Sequence, residues 1–129
     1  MIAVDSSALV AIVLGEPELE RFSAIVAREP SVLCAASLVE TAMVLESRQG
    51  PDSVQELRSV LRSAEVEIHP VTEELAWTAH AAWRRFGRGR HAAGLNYGDC
   101  FSYALAKTLS VPLLFKGTDF AQTDIAIAQ

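Results

Sequence analysis

At 129 residues and 13.9 kDa, the chain has the length of one domain and can bury a core without disulfide or metal staples. Half of its residues are hydrophobic, which excludes extended disorder. Its 11 basic and 16 acidic side chains leave a formal net charge of −5, which excludes a general duplex-DNA coat with a broad basic surface. Twenty alanines favour helix over an all-β fold. Cys34 and Cys100 sit in no metal-ligand spacing and fit buried thiols in a reducing compartment. The opening IAVDSSALVAIVL is broken by Asp5 and two serines, so it reads as neither signal peptide nor membrane span. A cytoplasmic protein is expected.

Ile2–Val4 reads as a short strand ending at Asp5, and Ser6 and Ser7 open an apolar helix toward Leu14. Gly15 stops that helix, and Pro17 begins the next where proline is favoured. Leu19, Phe22 and Val26 repeat at i, i+3 and i+7, which predicts one buried stripe. Pro30 precedes a second strand, Val32–Cys34. A third helix is predicted from about Ser37 to Gln49, ending at Gly50. A fourth starts at Pro51 and Asp52, with Val54, Leu57, Leu61 and Ala64 on one face. Val66–His69 reads as a third strand closed by Pro70. Thr72 caps a fifth helix, with Glu73 and Glu74 in its positive first turn. Leu75, Ala79, Ala82, Trp83 and Phe86 form its expected core stripe. Trp83 is thereby assigned to the core rather than to base stacking, and His69 and His80 receive no role.

Residues 87–98 hold four of the seven glycines and read as a loop. A sixth helix, Tyr97–Leu109, turns Phe101, Ala104, Leu105 and Leu109 inward. Pro112 introduces a fourth strand, Leu113–Phe115, and Ile125–Ile127 is a candidate fifth. Short strands separated by helices predict an α/β fold, a parallel sheet covered by helices on both faces. Functional groups of such folds gather outside the carboxyl ends of the strands.

Four carboxylates are candidates for that rim, Asp99 on condition that the sixth helix begins there. Asp5 directly follows the first strand, and Asp119 follows the fourth in the turn Lys116-Gly117-Thr118-Asp119. Glu40 lies near the start of the third helix and Asp99 near the start of the sixth. Each also has a plain structural reading: capping boxes of Glu40 with Ser37 and of Asp99 with Asn96, and turn acids at Asp5 and Asp119. The neighbours weigh against it. At i±3 and i±4, Glu40 meets Ala36, Ser37, Met43 and Val44, and Asp99 meets Leu95, Asn96, Ser102 and Tyr103. None is a cation, and a half-buried carboxylate without one is costly unless a metal or a proton joins it. Several converging carboxylates make a hard, all-oxygen site suited to Mg²⁺ or Mn²⁺. Metal there activates water for attack on phosphorus and stabilises the leaving oxygen, with one ion or two. Ser6, Ser7 and Thr118 are candidate hydroxyls to orient the carboxylates, beside the plainer reading of helix caps and a turn residue.

The segment Arg84-Arg85-Phe86-Gly87-Arg88-Gly89-Arg90-His91 gathers four arginines and no acid. Guanidinium groups on a glycine-freed loop suit a phosphate backbone; the plainer reading is a solvated loop paired with the acidic surface. Phosphate contact is assigned to Arg88 and Arg90 and left open for Arg84 and Arg85. His91 and Tyr97 are candidates to stack on unpaired bases.

Four motifs occur in order: Val4-Asp5-Ser6-Ser7-Ala8-Leu9, Leu38-Val39-Glu40-Thr41, Gly94-Leu95-Asn96-Tyr97-Gly98-Asp99-Cys100-Phe101-Ser102-Tyr103-Ala104 and Leu114-Phe115-Lys116-Gly117-Thr118-Asp119-Phe120. With the closing Thr123-Asp124-Ile125, they resemble PIN-domain ribonucleases, and specifically the VapC-type toxins of type II toxin–antitoxin pairs. The resemblance spans essentially all of the chain. It implies one three-layer α/β/α PIN-like fold over residues 1–129, with a central parallel sheet of four to five short strands. It implies that Asp5, Glu40, Asp99 and Asp119 are the catalytic, Mg²⁺-holding residues, with Asp5 and Asp99 the most direct ligands. It further implies homodimerisation and a VapB-type antitoxin whose C-terminal segment covers the acids, a pairing that suits an acidic cleft. Position 118 is Thr where some members carry a further acid.

The activity expected is Mg²⁺-dependent endoribonuclease cleavage of loops in structured RNA such as tRNA or rRNA, where bases are free to be splayed. A haloacid-dehalogenase-like phosphatase also places an Asp after its first strand, but it wants Asp-x-Asp, and position 7 is Ser. A phosphoacceptor domain wants paired acids near that strand end, and only Asp5 is there. A catalytically silent PIN-like module that binds RNA or protein is the remaining alternative, and four intact acids weigh against it.

Overall fold

The strands alternate apolar side chains to two faces, and each face needs its own helical layer. The structure, a computed structural model that describes residues 1–129, supplies both layers. β1 (Ile2–Val4), β2 (Ser31–Cys34), β3 (Glu67–His69) and β4 (Leu113–Leu114) form one sheet in the order β3-β2-β1-β4. All pairings are parallel, and Ala3 of β1 lies opposite Val32 on one side and Leu113 on the other. Ala3, Val32, Cys34 and Leu113 face a core shared with α5 (Glu73–Phe86) and α6 (Tyr97–Leu109). Ile2, Val4, Leu33 and Leu114 face a second core. That core is shared with α1 (Ser6–Val13), α2 (Leu19–Arg28), α3 (Ala35–Gln49) and α4 (Asp52–Ser63). This is the expected α/β/α arrangement around a parallel sheet. Because β1 is central, the residue that follows it is surrounded by other elements.

Pattern and structure part at element ends. α3 begins at Ala35, directly after Cys34 and ahead of the expected start at Ser37. β3 is an edge strand with Glu67 and Ile68 exposed. The candidate fifth strand reduces to one parallel bridge between Leu113 and Ile127, flanked by hydrogen bonds from Leu113 N to Ala126 O and from Ala128 N to Leu113 O. Leu19, at the first turn of α2, stays 36% exposed, and Phe22, Ile25 and Val26 carry the buried stripe. Trp83 is 43% exposed rather than core. Leu75, Ala79, Ala82 and Phe86 fill the α5 stripe, and Trp83, one residue beyond Ala82, is rotated about 100° away from it.

Phe22 is fully buried in the second core. Phe22→Ala is expected to lower the unfolding free energy by about 3–5 kcal/mol, the usual cost of such a cavity. Urea denaturation measures this, and an unchanged midpoint would place α2 outside the core.

Candidate active site

The carboxyl end of β1 delivers Asp5 into the interior, where it is 2% exposed. As N-cap of α1, its Oδ2 accepts from Ser7 N at 3.0 Å and from Ser7 Oγ at 2.6 Å. Ser102 Oγ, from α6, donates to Oδ1 at 2.5 Å. That bond commits the Ser102 hydrogen, so Ser37 of α3 donates to Ser102 Oγ across 3.3 Å. Ser7 Oγ in turn accepts from the backbone N of Lys116 at 3.0 Å, after β4. One buried carboxylate thus ties α1 and α6 directly, and α3 and the β4 turn through hydroxyls.

Glu40 of α3 does not complete a capping box, because α3 starts earlier and Ser37 faces Ser102. Its Oε1 accepts from Ser6 Oγ at 2.9 Å. The carboxylate lies on Gly98 in the first turn of α6, where a β-carbon would stand 2.6 Å from Glu40 Cδ. Only glycine admits that approach. Asp99 does complete the capping box: its N–H donates to Asn96 Oδ1 at 2.8 Å, and its Oδ2 accepts from Asn96 N at 3.1 Å. The structural and functional readings of Asp99 are compatible, since the cap uses one carboxylate oxygen. Asp119 is exposed at the head of the 3-10 turn Phe120–Gln122, with no side-chain capping bond.

No basic side chain pairs with any of these four acids. Lys116, the cation nearest in sequence to Asp119, turns its ammonium to Glu16 at 3.4 Å and Glu18 at 3.1 Å, the latter in ion-pair range but off the hydrogen-bond angle. Burial pushes the Asp99 carboxyl up to about 6 against the hydrogen bond from Asn96, helped by the charges of Asp5, Glu40 and Asp119. Burial likewise raises Glu40, opposed by the Ser6 hydroxyl and reinforced by Asp5. Asp5 and Asp119 follow the parallel neighbours β1 and β4, and Glu40 lies between Ser6 and Gly98, next to Asp99, so the acids gather at the carboxyl edge of the sheet. As placed, no three His, Cys, Asp or Glu side chains surround a common point closely enough to ligate one ion. Hydroxyl and amide donors hold Asp5, Glu40 and Asp99 where they sit, Asp119 has no such donor, and repulsion opposes closer approach. The donor set is all oxygen, negatively charged and without a counter-cation, which fits a hard divalent ion.

The Ser6 and Ser7 hydroxyls donate to Glu40 and Asp5, whereas Thr118 is exposed and donates to no acid. Gly117 beside it takes a positive φ of 107°, so the residue serves the turn. Arg88 and Arg90 are exposed without ion pairs. His91 is already engaged: its Nδ1 accepts from Ala93 N at 3.0 Å and its ring meets Phe86 at 5.0 Å. Ser102, Ser37 and Gly98 also belong to the site, although the sequence gives Ser37 only a capping role and gives Ser102 and Gly98 none. Ser102 left a signal, a hydroxyl at i+3 from Asp99 on a helix face otherwise turned to the core.

The Asp99 shift has a testable sign. Its carboxyl sits above the ordinary value of 3.8 in the folded chain, so the folded state holds the proton longer than the unfolded state. The charge therefore costs stability fully above pH ~6, progressively less down to ~4, and nothing below. Asp99→Asn keeps an acceptor for the Asn96 cap. In EDTA it is expected to raise Tm by about 4 °C at pH 7.5, the shift for roughly 1 kcal/mol in a domain of this size. The gain should vanish near pH 4, and equal melting of the two proteins at pH 7.5 would show that the acids do not repel.

The PIN domain family matches residues 2–126. The chain is 52% identical to Ribonuclease VapC30 of Mycobacterium tuberculosis over 95% of both chains. It is 51% identical to Ribonuclease VapC of Mycolicibacterium smegmatis over 95% of this chain and 96% of that one. Among solved structures it is similar to Mycobacterium tuberculosis VapC20, a Sarcin-Ricin loop cleaving toxin, with a TM-score of 0.79 at 20% identity, covering 98% of this chain and 97% of that one. With the acids at the carboxyl edge of the parallel sheet, these likenesses mean that the chain belongs to the PIN domain family, among its VapC-type ribonucleases.

Proposed function

We propose that this protein is the toxin of a type II toxin–antitoxin pair, a Mg²⁺-dependent endoribonuclease that hydrolyses phosphodiester bonds in loops of structured RNA, tRNA or rRNA. The observation that carries this reading is the convergence of Asp5, Glu40, Asp99 and Asp119 on one sheet edge with no cation paired to any of them. When bound there, Mg²⁺ or Mn²⁺ supplies a water of lowered pKa and positive charge for the leaving oxygen. Asp5 and Asp99 hold the ion most directly, and Glu40 and Asp119 complete the acidic rim. Ser7 and Ser102 fix both oxygens of Asp5, and Ser6 fixes Glu40, so these carboxylates enter the reaction already oriented. Arg88 and Arg90 contact the phosphate backbone beside the rim. His91 shapes the loop that presents them.

The partner is a VapB-type antitoxin whose C-terminal segment lies over the acids and sets a basic side chain among them, which the charge of the rim favours. The toxin works in the cytoplasm, as a homodimer. Both cysteines are free and buried, in keeping with a reducing compartment, and no helix is long and apolar enough to cross a membrane.

Purified protein incubated with total cellular RNA is expected to yield discrete fragments with Mg²⁺ and none with EDTA. Asp99→Asn should slow their formation by about 10²-fold or more, as removing one electrostatic catalytic group commonly does. Identical patterns in all three reactions would replace the enzyme by a silent binding module.

A further inference from the structure

A cleft of about 550 Å³ lies between α5 and α6, bordered by His80, Trp83, Arg88, Asn96, Tyr97 and Phe101. Its floor is apolar, with Ala79, Leu95 and Cys100, and no carboxylate lines it. The aromatic walls are held in place before any ligand arrives. His80 stacks on Trp83 with centroids 5.8 Å apart and planes 29° apart, and the Arg90 guanidinium lies 4.6 Å from the Trp83 ring. Tyr97, 80% exposed, is propped edge-on by Phe101 at 5.0 Å. One end of the cleft meets the acidic rim, because Asn96 both borders it and caps the turn that carries Asp99.

We propose that this cleft takes an unpaired nucleobase of the RNA next to the cut phosphodiester, and so helps decide which RNA is cut. This rests on the ribonuclease reading and adds a specificity site to it. The chemistry favours a nucleotide over a protein segment. The exposed Tyr97 ring and the Arg90 guanidinium that lies on Trp83 suit a planar base, which stacks on aromatic and guanidinium faces alike, and the Asn96 amide nitrogen, which makes no hydrogen bond, is free to donate to a base edge. The Arg88 and Arg90 guanidinium groups carry no ion pair in a chain of net charge −5, so the one cation-rimmed aromatic surface beside the acids matches a polyanion that carries bases.

The test uses the full chain in EDTA, with a fluorescent random-sequence RNA 12-mer and the same ribose–phosphate strand lacking bases. Fluorescence anisotropy should show the wild type preferring the base-bearing strand by about 10-fold or more, the scale of lost base–aromatic stacking. The Trp83→Ala/Tyr97→Ala double variant should lose that preference while binding the abasic strand as before, with an unchanged circular dichroism spectrum. In the cleavage assay with Mg²⁺ its KM should rise with kcat little changed. A double variant that keeps the preference and KM of the wild type overturns the cleft while leaving the nuclease standing. A variant that changes only the oligomeric state in size-exclusion chromatography overturns it in favour of a contact between protein chains. A wild type that neither binds nor cleaves RNA overturns both the cleft and the ribonuclease reading.

Discussion

A carboxylate buried at the end of the central strand is the constraint on which the rest of this structure depends. Asp5 is 2% exposed with no cation beside it, and stripping an ion of water costs several kcal/mol unless strong hydrogen bonds replace it. Here the replacement comes from Ser7 and Ser102, whose charge-assisted bonds contribute roughly 1.5–3 kcal/mol each. Each donor has a second consequence. Ser7 starts α1 and receives the backbone of Lys116, so it pins the turn that leads to Asp119. Ser102 brings α6 against β1 and receives the hydroxyl of Ser37, so α3, and with it Glu40, is drawn to the same edge. Solvating one buried charge from within places the other three acids around it.

The arrangement is stable enough to fold yet electrostatically unfinished. Burial and mutual repulsion raise Asp99 and Glu40, while Glu16 and Glu18 draw the ammonium of Lys116 away from the rim. A chain selected for stability alone would place a basic group among these acids. Leaving the rim without one keeps it open to an external cation, and Gly98 lets the Glu40 carboxylate rest directly on the first turn of α6. The Ser6 hydroxyl and the positive end of that helix dipole compensate its charge there without a cation.

Much of this was legible in the sequence. Gly, Pro and capping residues punctuate the chain, and the strand–helix alternation is regular, so the layers and the four acids followed from pattern and from resemblance to the PIN family. The errors have physical causes. Ile125–Ile127 is apolar enough for a strand, but the edge beside β4 offers only two strand residues to pair with. The helical stripe that includes Trp83 is one residue too wide: Ala82 and Phe86 already fill it, and a helix gives adjacent residues different faces. The sequence offers Ser37 only as a capping partner of Glu40 and Ser102 only as a neutral neighbour of Asp99; their bonds to each other and to Asp5 come from the charge that tertiary folding brings to them. Of the two roles the sequence allows Thr118, orienting hydroxyl or turn residue, the turn at Gly117 favours the second by leaving it exposed with no hydrogen bond to an acid.

The central claim is that the acids around Asp5 form one cation site that the fold leaves without an internal counter-ion. Anomalous diffraction from crystals grown in millimolar Mn²⁺ tests it most directly. The account predicts a manganese peak coordinated by Asp5 and Asp99, with Glu40 or Asp119 drawn toward it. A map with no peak at this edge, or with manganese bound only elsewhere, would contradict it.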